Sequence, residues 1–171
     1  NRVSAGFGFC CVGDGSKLVY KRSRQGNTLA DRVAEAAFDN FKGSKEVRNF
    51  TPFDGDERQY CSPGFDLPYG CFSHTPPGEF PEYHSSADDL SLMDFKAISE
   101  FISFVLSCCD ILEANRTYRR IDGRCEPKLD SFGLWSTLGV GAGSGYPELN
   151  YALLWFLNYA DGRDLISISK I

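Results

Sequence analysis

Residues able to do chemistry gather in one stretch of this chain, Gly78-Glu79-Phe80-Pro81-Glu82-Tyr83-His84-Ser85-Ser86-Ala87-Asp88-Asp89-Leu90. It holds His84, one of only two histidines, between carboxylates, with glycine and proline punctuation that suits an ordered loop. A neutral imidazole with acids a few residues away is the pattern of a metal ligand whose other ring nitrogen is fixed by a carboxylate or carbonyl. The same pattern describes a solvated surface histidine. Further candidates are Asp56, Glu57 and Arg58 on the turn-rich segment Asp54 to Pro68, which reads either as an acidic turn or as a loop presenting charge to a substrate. Asp14 follows the apolar run Val3 to Val12, which reads as a buried central strand closed by Gly13-Asp14-Gly15. Ligands collect beyond the carboxyl ends of strands in open α/β sheets, although Asp14 could equally be a turn aspartate. Cys61 has no histidine beside it in sequence, so a cysteine nucleophile is unsupported.

The elements that must position these residues follow from the local patterns. Lys17 to Lys21 reads as a second strand, leading into the basic run Lys21-Arg22-Ser23-Arg24, a solvated loop or an anion site. Asn27-Thr28 caps a helix running to about Phe41, with Leu29, Val33, Ala36, Ala37 and Phe41 as its apolar face and Gly43 as its stop. Glu46 to Phe53 and Leu67 to Ser73 read as strands. Ser91-Leu92-Met93-Asp94 resembles a capping box that opens a helix to about Tyr118, with Phe95, Ile98, Ile102, Val105, Cys109 and Leu112 as its stripe and both Cys108 and Cys109 in the core. A linker is expected between Tyr118 and Lys128, before apolar islands at Leu129, Phe132, Leu134 and Trp135. The glycine run 139–145 lacks the Gly-Lys-Ser/Thr of a phosphate loop. Pro147 opens a helix from Glu148 to Ala160, and Asp164 caps another after the stop Asp161-Gly162-Arg163. Two helices joined by so tight a turn resemble the start of a helix-turn-helix.

The whole is an α/β chain, with a partial open mixed sheet over 1–120 and an α-rich module over 121–171. At 171 residues and 42% hydrophobic it can bury a core, and a net charge of -5 argues against a dominant nucleic-acid or membrane-surface role. Seven cysteines without a Cys-x-x-Cys pair suggest reduced, largely buried thiols in a cytoplasmic compartment. No signal peptide and no bilayer-length apolar run are evident. The chain opens on Asn1 and has a single methionine, Met93, so we expect a piece of a longer protein.

With those residues in place, a resemblance becomes specific. Cys11 to Asp14, Tyr20 to Arg24, Asp56 to Gly64, Glu79 to Leu90, Leu112 to Arg116 and Leu154 to Gly162 are similar to the carboxyl-terminal half of the aminopeptidase-like proteins found near polysaccharide-biosynthesis genes. These are relatives of the co-catalytic di-zinc aminopeptidases and carry a winged-helix module. The resemblance implies His84 as a zinc ligand within a Tyr-His-Ser segment, with Asp88 or Asp89 orienting it. Asp14 is implied as a metal-binding aspartate, and Asp56, Glu57, Arg58 and Tyr83 as residues near the substrate. Gly55 and Glu57 replace a serine and a histidine of relatives. The family's remaining ligands and its general base would lie upstream of Asn1. The parent is then expected to be a two-zinc amide or peptide hydrolase acting on a peptide or aminoacyl substrate, with this fragment inactive alone. The other reading is a non-catalytic ligand-binding or interaction module. A homo-oligomer or a protein partner engaged through the carboxyl-terminal module is a further expectation, and nucleic-acid binding is disfavoured.

Overall fold

The computed structural model describes residues 3–53, 55–132 and 148–171. The chain divides into two compact units between Glu113 and Ala114. Leu134, Trp135, the glycine run 139–145 and Pro147, singled out above, lie outside the described residues.

The first unit is built on a four-stranded mixed sheet of order β1-β4-β2-β3, with β1 Gly6–Phe9, β2 Leu18–Lys21, β3 Lys45–Arg48 and β4 Tyr69–Ser73. β1 runs parallel to β4 with Phe9 opposite Phe72, and β2 runs antiparallel to β4 with Tyr20 opposite Phe72. β2 and β3 are parallel, as a crossover through helix α1 (Leu29–Asn40) requires. The first apolar run therefore forms an edge strand of this sheet and not a central one, half-buried with Phe9 exposed. Gly6 permits this packing because a Cβ there would collide with the Tyr69 ring lying over the strand. β3 ends at Arg48, well short of Phe53.

Side chains alternate across a strand, so Leu18, Tyr20 and Phe72 share one face and Val19, Lys21 and Cys71 the other. The first face is the core. Tyr20 and Phe72 rings lie 4.7 Å apart, and Phe72 meets Phe104 of helix α3 (Phe95–Ala114) at 5.2 Å, edge to face. Phe38 of α1 reaches Phe104 at 5.2 Å, and Phe9 meets Phe101 at 5.4 Å. Such pairs each add about 0.5–1.5 kcal/mol beyond their buried area. The face of α1 is Ala30, Val33, Ala34, Ala37 and Phe38, one residue out of step with Leu29, Ala36 and Phe41. On α3 the buried stripe is Ala97, Phe101, Phe104 and Cys108, while Phe95, Ile102 and Cys109 are exposed. The aromatic partners on the sheet select that register from a helix that is apolar on several sides.

Asp31 organises the start of α1. Burial works to raise its pKa, but its hydrogen bonds prevail and hold it below the ordinary carboxylate range. It accepts from Ser23 Oγ at 2.6 Å, Ser23 N at 2.8 Å, Thr28 N at 2.7 Å, Thr28 Oγ1 at 2.7 Å and Tyr20 Oη at 2.9 Å. Thr28 and Asp31 thus form the capping box that stops the chain fraying here. At α3 the expected box is replaced by two separate caps. Asp89 accepts from Ser91 N ahead of a 3-10 turn, Leu90–Leu92, and Asp94 Oδ1 accepts from Lys96 N and Ala97 N.

In the second unit, helix α4 (Glu148–Tyr159) and the short helix α5 (Leu165–Ile168) are joined by a turn with Gly162 at φ +77. Asp164 caps α5 through Ser167 N at 3.0 Å and pairs with Thr117 in an isolated bridge. Asn115 ties this corner together, donating to Asp164 Oδ2 and accepting from Ile166 N. Arg163 lies over the Tyr159 ring, 5.6 Å from its centroid. No helix among the described residues is long and apolar enough to cross a membrane.

Candidate functional site

The parallel strands β1 and β4 end at the same edge of the sheet, and their two following loops meet there. Cys10 N bonds Phe72 O and His74 N bonds Cys11 O, extending the pairing one step beyond the strands. This brings Asp14, Ser16, His74 and Thr75 together across 60 residues of sequence. Asp14 Oδ1 accepts from Ser16 Oγ at 3.0 Å, and Oδ2 accepts from the Thr75 hydroxyl. A carboxylate offers about four lone-pair positions, and the Asp14 side chain is 32% exposed, so it keeps capacity for a further partner.

His74 is buried, at 6% exposure, with its ring edge-on to Phe101 at 5.8 Å. Its Nδ1 lies against the Asp14 carbonyl oxygen and 3.6 Å from Asp14 Oδ1. A carbonyl can only accept, so Nδ1 carries a proton, which fixes the orientation of the ring. Burial, then the neighbouring Cys10 thiol, push the Cys11 thiol up to about 12, and the charges of Asp88 and Asp14 add to this. Cys11 occupies this corner with φ +51, a conformation an L residue adopts at some cost.

The sequence reading singled out His84 and passed over His74. His84 stands exposed, stacked on Tyr83 with ring centroids 3.9 Å apart and φ +59. Asp88 and Asp89 are exposed on the same loop, where Asp89 is occupied as a cap. A signal for His74 was present: it follows directly on the short apolar strand β4.

The Asp56-Glu57-Arg58 segment forms helix α2 (Glu57–Tyr60), a single turn. Asp56 and Arg58 point outward, and Glu57 is buried at 1% exposure, in an ion pair with Lys21. The basic run that begins with Lys21 is taken up in ion pairs, with Arg24 exposed. Arg22 pairs with Glu35 at 2.7 Å and Arg24 with Asp66 at 2.9 Å. Cys61 is fully buried, its thiol donates to Tyr69 O at 3.1 Å, and burial raises its pKa, all of which suits packing and not nucleophilic attack.

A catalytic zinc takes about three protein ligands and a water. Among the described residues no three His, Cys, Asp or Glu side chains converge closely enough to hold a metal ion. These residues alone do not fit a zinc centre.

Residues 1–115 match a family model described as a domain of unknown function (DUF4910), and residues 116–171 match a winged helix-turn-helix. A Clostridium acetobutylicum protein named for polysaccharide biosynthesis and an aminopeptidase-like domain is 34% identical over 162 residues, covering 95% of this chain and 37% of its own length. A crystal structure from the same organism, named as a peptidase, superposes with a TM-score of 0.82 at 30% identity, over 98% of this chain and 36% of that one. The chain thus spans little more than a third of either relative. It has a peptidase-like fold with a mixed open sheet and a carboxyl-terminal winged-helix region, and through residues 1–115 it belongs to the DUF4910 family.

Proposed function

We propose that this chain forms part of a hydrolase that cleaves an amide or peptide bond, with the rest of the reactive centre supplied by residues outside it. The observation that carries the reading is the meeting of Asp14, His74 and Thr75 at the carboxyl edge of β1 and β4, in a peptidase-like fold. A carboxylate beside an imidazole suits a cation. Zinc as that cation, His84 and Asp14 as ligands, and a peptide or aminoacyl substrate near Tyr83, Asp56, Glu57 and Arg58 belong to the same proposal. The chain alone is then inactive and binds zinc weakly.

A second reading is a non-catalytic binding module. It is favoured by the hydrogen bonds that Asp14 already receives from Ser16 and Thr75, which suit a turn that only holds its shape. Zinc content and hydrolysis of aminoacyl anilides by the intact protein separate the two. The hydrolase reading expects bound zinc and turnover, with both reduced in Asp14→Asn and His84→Ala. A protein that folds, holds no zinc and cleaves none of these substrates is the binding module.

A further inference from the structure

The two edges of the sheet are unlike. β3 carries the charged side chains Lys45, Glu46 and Arg48, which is how an edge strand that faces water is kept from pairing. β1 reads Gly-Phe-Gly-Phe, and no charge or proline stands anywhere from Val3 to Val12. Among the described residues it pairs with β4 alone. Gly6 N and Cys10 N donate toward β4, so Phe7 and Phe9, which alternate with them, turn their N–H and C=O groups to the open side. The Phe9 residue is 50% exposed. A parallel strand of this composition belongs inside a sheet.

Helix α3 is one-sided in the same sense. Its Ser99, Ser103 and Ser107 face a groove shared with Asn40 and Phe41 at the end of α1. The opposite flank carries Ile98, Ile102, Val105, Leu106 and Cys109. Ile102 is 54% exposed, Leu106 59%, and Cys109 is open as well. Phe101 stands between that flank and the sheet, its ring 5.4 Å from Phe9, so the flank lies on the β1 side. An open strand edge and an apolar helix flank meet there, and joined apolar surface of this kind marks an interface. Both are features that read as buried in the sequence, Val3 to Val12 as a central strand and the stripe through Ile98, Ile102, Val105 and Cys109 as a core face. One neighbour on this side accounts for both.

The relatives indicate what that neighbour is. The chain spans 36% and 37% of the two proteins it matches, so most of a protein of that kind lies outside residues 1–171. Past α3 the chain enters a separate compact unit that matches a winged helix-turn-helix, whereas consecutive elements of a sheet are usually neighbours. We propose that the open edge of β1 and the flank of α3 receive the part of the same polypeptide that precedes residue 1, a β-strand on the edge and an apolar helix face on the flank. The loop carrying Asp14 follows β1 directly, so this segment docks beside it. That it completes a reactive centre there rests on the hydrolase reading, and the docking does not.

The test uses the intact protein over a dilution series. Alkylation of Cys109 by N-ethylmaleimide, read by peptide mass spectrometry, is expected to be about a hundredfold or more slower than in urea-unfolded protein, at every concentration. Photo-leucine at Leu106 should cross-link to peptides preceding residue 1 of the same molecule. Ile102→Glu should lower the melting temperature by roughly 5 °C or more, where the same change at a solvated position would move it by about 1–2 °C at most. Alkylation of Cys109 at the unfolded rate, or an unmoved melting temperature in Ile102→Glu, leaves the flank in water and overturns the proposal. So does protection of Cys109 that is lost on dilution, which makes the occupant a second copy, and so do Leu106 cross-links confined to residues 116–171. Aminoacyl anilide cleavage is measured separately. Turnover with an open flank keeps the hydrolase and sinks the docking, and a covered flank without turnover does the reverse.

Discussion

Asp31 and Glu57 are both carboxylates with 1% exposure, one serving each face of the same sheet. Their surroundings differ in kind. Five donors from Tyr20, Ser23 and Thr28 point at the two oxygens of Asp31. Glu57 is neutralised by one long side chain, the Lys21 ammonium, which lies directly against its Oε1. A buried charge held by hydrogen bonds from backbone and short side chains is part of the scaffold, because it satisfies donors buried with it. A buried charge held by a single flexible lysine depends on one partner instead. Burial alone therefore does not say how firmly an acid is built into the scaffold, and the number of its partners does.

The largest effect that tests this contrast is at Asp31. Asp31→Asn keeps the shape but turns one acceptor into a donor facing Ser23 or Thr28 N–H, and it removes the charge those bonds assist. A loss of about 3 kcal/mol is expected in urea unfolding. The pH dependence has a definite sign. Asp31 has its folded pKa below the ordinary 3.8, so its contribution is complete above about pH 4 and drains away as pH falls through the folded value. Wild type should lose stability over that acid range, and Asp31→Asn should lose less there because it has no such proton to take up. A variant as stable as wild type at neutral pH would show that the five bonds hold nothing together.

What could be read from the chain before its structure follows the same division between local and distant causes. Thr28 as a cap, the strand–helix–strand order from Lys17 through α1, and Asp164 at the start of α5 are signals within a few residues, and they describe the fold correctly. The buried stripe of α3 was misread because Ile98, Ile102, Val105 and Leu112 compete with Phe101 and Phe104 at helical spacing. Only the rings of Phe9, Phe38 and Phe72, distant in sequence, decide between them. The meeting of His74 with Asp14 depends on β1 and β4 being neighbours, which no periodicity reveals. Glu57 sits in a segment whose composition reads as a surface turn, and its burial follows from Gly55 and Lys21, which come from different parts of the chain.

A smaller effect is expected at Glu57. Glu57→Gln leaves Lys21 without its counter-charge, but Lys21 is 15% exposed and keeps its bond to Phe53 O, so water can reach the ammonium. The neutral amide also costs less to bury than the carboxylate. A loss of about 1–2 kcal/mol in the same unfolding measurement is expected, less than at Asp31. Equal losses at the two sites would mean that Glu57 is as much a scaffold element as Asp31, and the contrast would fail.

The smallest effect belongs to the exposed pair Arg24–Asp66, at 2.9 Å with both side chains more than a third open to solvent. Its geometry is good, and Arg24 donates to Asp66 through Nε as well. Water nevertheless screens the attraction and holding two long side chains together opposes it. Arg24→Ala should shift unfolding by about 0.5 kcal/mol or less, and less still when salt is raised. A loss approaching that of Glu57→Gln would show that charge pairing, and not the removal of water from it, separates these sites. In that event the burial of Glu57 would lose its significance, because an ion pair open to water would behave alike.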